Sequence, residues 1–257
     1  MSATNTDRSY GSVTKTFHWL TALLIITAIP LGIISNKLPF ETGEEVALKA
    51  LMFSLHKTVG ITAFFVALAR IAWAITQTKP AGLHPERRAE TFLAELVHWL
   101  LYGSLVVVPL SGWIHHASTT GFAPIWWPFG QNLFFVPKSE SLAAVTAGLH
   151  VVFERVLIVS LLLHIAGALK HHVIDKDDTL RRMLPGTTAA GTPHGSNKAA
   201  PLGAAVLVWI AAMGIGSALG VYQGHGGHAD RAALEAVNSQ WDVQSGAIEI
   251  STNQFGS

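Results

Sequence analysis

Residues 146–170 read TAGLHVVFERVLIVSLLLHIAGALK, an apolar run with one histidine near each end. A helix crosses a bilayer with about 20 mostly apolar residues, so the stretch predicts a membrane-spanning helix. His150 and His164 are fourteen residues apart, which in a helix corresponds to roughly 21 Å along the axis and about 40° in azimuth. We therefore expect both imidazoles to project from one helix face, one near each membrane surface.

The composition of the whole chain also indicates a membrane protein. Of 257 residues, 50% are hydrophobic and 13% are charged, with a mean hydropathy of +0.39. Soluble domains carry about 25% charged residues. The chain contains no cysteine, which excludes iron–sulfur ligation by thiolates, covalent haem attachment through a CxxCH motif, and disulfides. The 13 histidines are therefore the main source of metal ligands.

Five segments are long and apolar enough to cross the membrane. They are residues 16–34, 55–75, 96–116, 146–169 and 202–222. We expect an all-α membrane protein that consists of a four-helix transmembrane bundle, one appended transmembrane helix and a short C-terminal tail. The lipid bilayer is its predicted partner, and nucleic acid is not.

Lysine and arginine between the spans predict the orientation. If the N-terminus is cytoplasmic, ten of these residues fall on the cytoplasmic side: Arg8, Lys15, Lys79, Arg87, Arg88, Lys170, Lys176, Arg181, Arg182 and Lys198. The opposite loops hold three before the fifth helix, Lys37, Lys49 and Lys138. We expect a multi-pass protein of the bacterial inner membrane with a cytoplasmic N-terminus and a periplasmic C-terminus.

Changes in composition suggest where the parts of the chain begin and end. Residues 8–186 form the predicted four-helix unit, and residues 187–201, rich in Gly, Thr, Ala and Pro, are typical of a linker. Residues 202–222 are the fifth helix, whose GxxxG at Gly216 and Gly220 favours close helix packing. Residues 223–257 are the predicted periplasmic tail.

Four histidines form two pairs, and the two members of each pair are expected at the same depth in the membrane. His18 and His164 share the cytoplasmic half of the bundle, here named the inner level, while His56 and His150 share the periplasmic half, the outer level. Two histidine pairs across a bundle can hold two bis-imidazole haems, which transfer electrons and leave no position open for oxygen. The alternative is interfacial histidines that bond to water or backbone. Zinc is a further alternative, although a structural zinc site needs four ligands together.

Small residues near these histidines allow two interpretations. Gly60, Ala63 and Ala67 lie along the second predicted span (residues 55–75), and Ala147 and Gly148 precede His150. They make room for a flat macrocycle, or they serve ordinary helix packing.

Three cations lie within or beside the spans. Lys57, Arg70 and Arg155 are candidate partners for haem propionates, because charge inside a membrane is costly and usually functional. The alternative is that these side chains extend to the interface.

Three more histidines, His98, His171 and His172, gather on the inner side. They are candidates for a quinone or proton site, since imidazole exchanges protons near physiological pH. The alternative is that they are interfacial residues without a special role.

Longer stretches of the chain resemble a known family. FHWLTALLIITAIPLGI (17–33), LHKTVGITAFFVALARIAW (55–73), HWLLYGSLVVVPLSGWI (98–114) and the segment from Gly148 to the ending HHVIDKDDTLRRMLPG (171–186) resemble the bacterial cytochrome b561 family of di-haem membrane cytochromes. The resemblance covers about residues 8–186. It implies His18, His56, His150 and His164 as axial ligands of two haem b groups, ubiquinone as a redox partner, and superoxide as one donor. His115–His116 departs from the family pattern.

The end of the chain resembles a second family. SQWDVQSGAIEISTNQFGS (239–257) is similar to the opening strands of periplasmic YceI-like domains. Only these nineteen residues match, too few for a sheet to close.

Three functions follow as hypotheses. The first is a quinone-linked electron-transfer oxidoreductase that carries electrons across the bilayer between a periplasmic-side donor and ubiquinone. The second is a cytochrome b subunit that anchors a soluble dehydrogenase or hydrogenase and accepts its electrons. The third is a membrane anchor that displays the outer tail and contains no haem. The sequence leaves the electron donor and the oligomeric state open.

Overall fold

Five long helices account for most of the computed structural model, which describes residues 2–7, 9–84, 86–119, 122–127, 130–185 and 199–222. The helices are α1 (Ser12–Lys37), α2 (Gly43–Thr76), α3 (Arg88–Ser118), α4 (Glu140–Lys170) and α5 (Ala199–Tyr222). Each is long and apolar enough to cross a membrane. All regular structure within the described residues is helical, so the predicted all-α membrane class is confirmed.

The helices extend beyond the predicted spans because hydropathy marks only the part that lies in lipid. The largest difference is at α2, which begins at Gly43, twelve residues before the predicted Leu55. Thr42 and Glu45 form a capping box there, in which the Thr42 hydroxyl accepts from the Glu45 N–H and the Glu45 carboxylate accepts from the Thr42 N–H. Capping satisfies N–H groups that the first turn leaves free, so the charged first turns of α2 are helical in water.

The first four helices form two antiparallel pairs. α1 packs on α2 and α3 packs on α4, and α2 joins the pairs by packing on α3. Ile25, Ala67, Leu105 and Leu157, one residue from each helix, form the buried centre of the bundle. Within the described residues α4 does not pack closely on α1 or α2. A gap therefore separates α4, which carries one histidine of each predicted pair, from the two helices that carry the partner histidines.

Loops tie the inner helix ends together. α4 continues into a π-helical turn (His171–Asp175) and then a 3-10 turn (Arg181–Met183). The indole Nε1 of Trp19 donates to the Met183 carbonyl (2.8 Å), and Lys15 Nζ donates to the Leu184 carbonyl (2.7 Å). The segment that follows α4 is therefore fixed against the start of α1.

α5 packs against α3 and α4, and glycines allow the close approach. A Cβ on Gly148 would lie 2.2 Å from the Gly216 carbonyl oxygen, and one on Gly220 would lie 2.3 Å from the Ala144 carbonyl oxygen. On α3, the Trp209 indole covers Gly103. The GxxxG signal thus corresponds to a real contact. Gly148 was one of the residues expected to make room for a macrocycle, but it faces α5, so the packing interpretation holds there.

Substituting Gly220 with leucine should detach α5, because the added side chain meets the α4 backbone, which cannot rotate away as a side chain can. Forcing extra atoms into a packed contact costs about 1–3 kcal/mol. We expect a lower melting temperature of the detergent-solubilised protein. Gly214→Leu is the matched control, since an added Cβ at Gly214 meets no atom within 4 Å. Equal melting temperatures for the two variants would contradict this contact.

The helix α5 begins at Ala199, three residues before the predicted Leu202. Residues 186–198, most of the predicted linker, and residues 223–257, the predicted tail with its YceI-like stretch, lie outside the described residues.

Candidate cofactor site

The structure brings together both predicted histidine pairs. At the inner level the ring centres of His18 and His164 are 6.0 Å apart, with an interplanar angle of 54°. At the outer level His56 and His150 are 6.3 Å apart, with an angle of 87°. Two imidazoles bonded to opposite sides of one metal ion, at bond lengths of about 2.0 Å, have ring centres roughly 6 Å apart. Both pairs therefore have the separation that a shared iron atom requires.

The fourteen-residue spacing seen in α4 recurs in all four helices of the bundle. Each helix contributes one position to each level. The inner level contains His18, Arg70, His98 and His164, and the outer level contains Gly32, His56, Gly112 and His150. All four helices carry a bulky polar side chain at the inner level. Only α4 provides a histidine at both levels.

The outer level is built from two histidines and two glycines. A Cβ on Gly32 would lie 2.8 Å from Cε1 of His56, and one on Gly112 would lie 3.0 Å from Nδ1 of His150. Hydrogen at these positions lets each ring lie against the backbone of a neighbouring helix. His56 Nδ1 donates to the Ala28 carbonyl (2.9 Å), and His150 Nδ1 donates to the Val108 carbonyl (2.8 Å).

These two hydrogen bonds orient the outer rings for metal binding. A carbonyl can only accept, so Nδ1 carries the proton and Nε2 keeps its lone pair. A metal-bound histidine typically donates its other N–H to a carbonyl in this way, which fixes the tautomer and the ring orientation. The donor chemistry at the outer level therefore fits a bis-imidazole haem.

The inner level has a different polar environment. Arg70 Nη2 is 3.4 Å from Nδ1 of His18, and the Arg70 guanidinium lies over the Tyr102 ring at 5.6 Å. The His98 ring meets His164 edge to face at 5.1 Å, and His98 Nδ1 donates to the Ala94 carbonyl at 2.6 Å. His98 and His164 are on closely packed helices. Their ring centres are closer together than those of two imidazoles on opposite sides of one iron atom, so we treat His98 as a neighbour of the inner pair and not as a ligand.

Two glycines leave space beside the histidines. Gly60 follows His56 by one turn and Gly167 follows His164 by three residues, and each is partly buried. A Cβ at either position would meet no atom within 4 Å. Ala67, by contrast, belongs to the packed centre of the bundle. The residues present thus fit a flat cofactor between α4 and the α1–α2 pair, with open space next to a ligand at each level.

Of the three cations predicted as propionate partners, Arg70 is the one whose charged group lies beside a paired histidine, 3.4 Å from His18 Nδ1. Lys57 is buried and donates to the carbonyls of Phe122 and Ala123, the second at 2.8 Å, so it fixes the outer loop. The Arg155 side chain is 68% exposed and 3.9 Å from Glu154. Arg155 follows His150 by five residues, which places it about 140° around α4, away from the bundle interior.

A polar network lies beside the inner ends of the helices. Asp177 Oδ2 accepts from His171 Nδ1 (2.7 Å) and from His84 Nε2 (3.0 Å), and the two rings stack at 6.3 Å. Burial alone would raise the pKa of Asp177, but hydrogen bonds from Thr179 and His171 lower this pKa to about 2. His172 is exposed and lies outside the network.

The network joins residues that no local pattern connects. Lys170 Nζ donates to Glu90 (2.8 Å) and Asp175 (2.9 Å), and Arg87 pairs with Asp175 (3.1 Å). His84 comes from the loop between α2 and α3 and is 93 residues from Asp177. Its place in the network depends on how the loops fold over the bundle, so no motif or spacing in the sequence predicts it.

His115 and His116, at which the sequence departs from the family pattern, have contacts at the outer end of α3. His115 Nδ1 donates to the Ala143 carbonyl (2.8 Å), and its ring centre is 4.8 Å from that of His116. His115 therefore links the end of α3 to α4.

The fold and the paired histidines define a membrane cytochrome b of the electron-transfer type. The family of prokaryotic cytochrome b561 matches residues 9–186, and the chain belongs to this family. Membership implies haem b and a multi-pass bacterial membrane protein.

Named relatives are similar to this chain over nearly their whole length. The chain is 33% identical to cytochrome b561 homolog 2 of Escherichia coli over 188 residues, which are 72% of this chain and 95% of the relative. It is 28% identical to cytochrome b561 homolog 1 of Escherichia coli over 65% of this chain and 92% of that relative. A protein of Yersinia pestis named probable superoxide oxidase CybB is 25% identical over 69% of this chain and 97% of its own length.

Proposed function

We propose that this cytochrome holds two haem b groups and transfers electrons across the bilayer between a periplasmic donor and ubiquinone. His18 and His164 would ligate the inner haem, and His56 and His150 the outer haem. The observation that carries the proposal is the presence of two histidine pairs, with ring centres 6.0 and 6.3 Å apart, at opposite ends of one bundle.

A haem with two axial imidazoles supplies one-electron transfer and has no open position for oxygen. The protein's part is to hold the ligands still. α4 provides one ligand at each level, so a single rigid helix fixes the separation of the levels. At the outer level, glycine contacts and carbonyl acceptors hold the imidazole rings. These contacts would limit the movement of the rings when a bound iron is oxidised or reduced.

The orientation and the domain limits are part of the proposal. The excess of Lys and Arg supports a cytoplasmic inner side, and with it a periplasmic C-terminus. The family match to residues 9–186 supports an electron-transfer unit of about residues 8–186, followed by the linker, the fifth helix and the tail.

Ubiquinone reduction requires two electrons and two protons. If superoxide is the donor, two superoxide ions each lose one electron to become oxygen, and one ubiquinone takes up these electrons with two protons from the inner side. The network of His171, Asp177 and His84 lies on that side, and His98 touches the ring of His164. An imidazole can donate a proton from one ring nitrogen and accept one at the other. We infer that His98 and His171, with the exposed His172, serve the quinone and its protons.

Purified protein in detergent provides the test. A superoxide-generating system should reduce the b-type absorbance, superoxide dismutase should prevent this reduction, and added oxidised ubiquinone analogue should reverse it. Haem that stays oxidised with superoxide but is reduced by a soluble dehydrogenase or hydrogenase would overturn the proposed donor and favour the anchoring-subunit function. Reduced haem that ubiquinone does not reoxidise would overturn the proposed acceptor.

Asp177→Asn should slow the reoxidation of reduced haem by ubiquinone by about a hundredfold, the lower end of what a positioned proton-transfer group contributes. It removes the anion that accepts from His171 and His84. Reduction by superoxide needs no proton and should be unchanged. Asp178→Asn is the matched control, because the adjacent Asp178 instead pairs with Arg181. Equal reoxidation rates for both variants would exclude the network from proton delivery.

A further inference from the structure

We propose that Arg70 gives the inner haem the higher reduction potential, so that electrons run from the outer level to the inner level. The inference rests on the proposed function, since it requires a haem at each level. It concerns the direction of electron flow, which neither the histidine spacing nor the family match determines.

The outer ligands are made more electron-rich by their surroundings. His56 and His150 both donate from Nδ1 to a backbone carbonyl, Ala28 and Val108 respectively. Such a bond raises the basicity of the ligand nitrogen. A more basic ligand stabilises ferric iron, which carries more positive charge than ferrous iron, and so lowers the potential.

The inner ligand His18 has a cation at the equivalent atom. Arg70 Nη2 lies 3.4 Å from His18 Nδ1, where the outer ligands have a carbonyl oxygen. A nearby positive charge opposes the extra positive charge of ferric iron and therefore raises the potential. The inner level lies within the apolar bundle, where charges interact more strongly than in water.

The direction of this effect does not depend on what Arg70 contacts when haem is bound. A histidine that binds iron through Nε2 keeps its proton on Nδ1, so with haem bound the guanidinium would lie beside the ring as a cation or would pair with a propionate. In the first case it acts directly on the iron. In the second it neutralises a negative charge that would otherwise lower the potential. Both raise the potential of the inner haem.

Charges near the outer level do not reproduce this arrangement. Lys57 adjoins His56 in sequence, but its ammonium is bound to the carbonyls of Phe122 and Ala123. Glu154, one turn after His150, is mostly buried and brings to the same level a negative charge that opposes the charge of Lys57, although Arg155 lies 3.9 Å from it. Arg155 is 68% exposed on the other side of α4. Among the described residues, Arg70 at the inner level is therefore the cation whose charged group lies within 3.4 Å of a paired histidine.

A redox titration of the purified protein, followed in the b-type absorbance, tests the proposal. The wild type should show two components. Arg70→Gln should move only the higher component to lower potential, and Arg70→Lys should keep most of that potential because the charge remains. In His18→Ala, which retains the outer ligands, the surviving haem should titrate at the lower wild-type potential.

The outcomes separate this inference from the proposed function. If Arg70→Gln contains both haems but leaves both potentials unchanged, or moves the lower component, the inference is overturned while the two-haem function stands. The same holds if the surviving haem of His18→Ala titrates at the higher potential. If His18→Ala fails to fold, the Arg70 pair still decides, since both variants keep all four ligands.

Discussion

Replacing His164 with alanine should remove one haem from each chain and leave the other. His164 is the α4 ligand of the inner pair, 6.0 Å from His18, and alanine offers no nitrogen to the iron. The outer pair is a separate unit, whose ring orientations are fixed by contacts with α1 and α3. We expect the haem content to fall by half, with the remaining haem retaining a bis-histidine spectrum.

The control for this variant is His172→Ala, which removes an exposed histidine from the same end of the protein. It should keep both haems. Loss of neither haem in His164→Ala would show that His164 is not an axial ligand. Replacement of His150 provides the reciprocal case, in which the inner haem should survive and the outer haem should be lost.

Replacing Gly32 with leucine should remove the outer haem alone. A Cβ at Gly32 already lies 2.8 Å from Cε1 of the His56 ring, so the larger side chain must push this ring away from its position. The ring would then lose its bond to the Ala28 carbonyl and its alignment with His150. We expect the haem content to fall by half. The haem-to-protein ratio and the absorbance spectrum of the remaining haem are the two measurements.

Gly203→Leu controls for the added bulk, because a Cβ at Gly203 on α5 meets no atom within 4 Å. It should retain both haems. Retention of both haems in Gly32→Leu would mean that the clearance between α1 and the His56 ring does not define the outer site. Loss of both haems would mean that the two levels are not independent.

Much of the fold was predictable because lipid imposes a simple rule. Each span must be helical and apolar, so hydropathy located all five helices. It could not locate their ends, as α2 shows, because capping at Thr42 and Glu45 extends that helix into water. The packing of α5 against α3 and α4 was indicated in the sequence only by its GxxxG motif. Its partner, Gly148, required the three-dimensional structure.

The histidine pairs were predictable because depth and azimuth both follow from the helical repeat. The same arithmetic explains which cations are in the layers. Arg70 is fourteen residues from His56 and nearly on its face, whereas Arg155 lies about 140° from His150. Gly32 and Gly112 repeat the fourteen-residue spacing from His18 and His98. Their importance was not predictable, since glycine carries no chemistry and matters only through the ring of another helix.

The haem-to-protein ratio of the purified wild type, measured with its reduced-minus-oxidised spectrum, tests the central claim most directly. The two histidine pairs predict two haem b per chain. One haem per chain, or the absence of a b-type band, would contradict the assignment of a haem to each level.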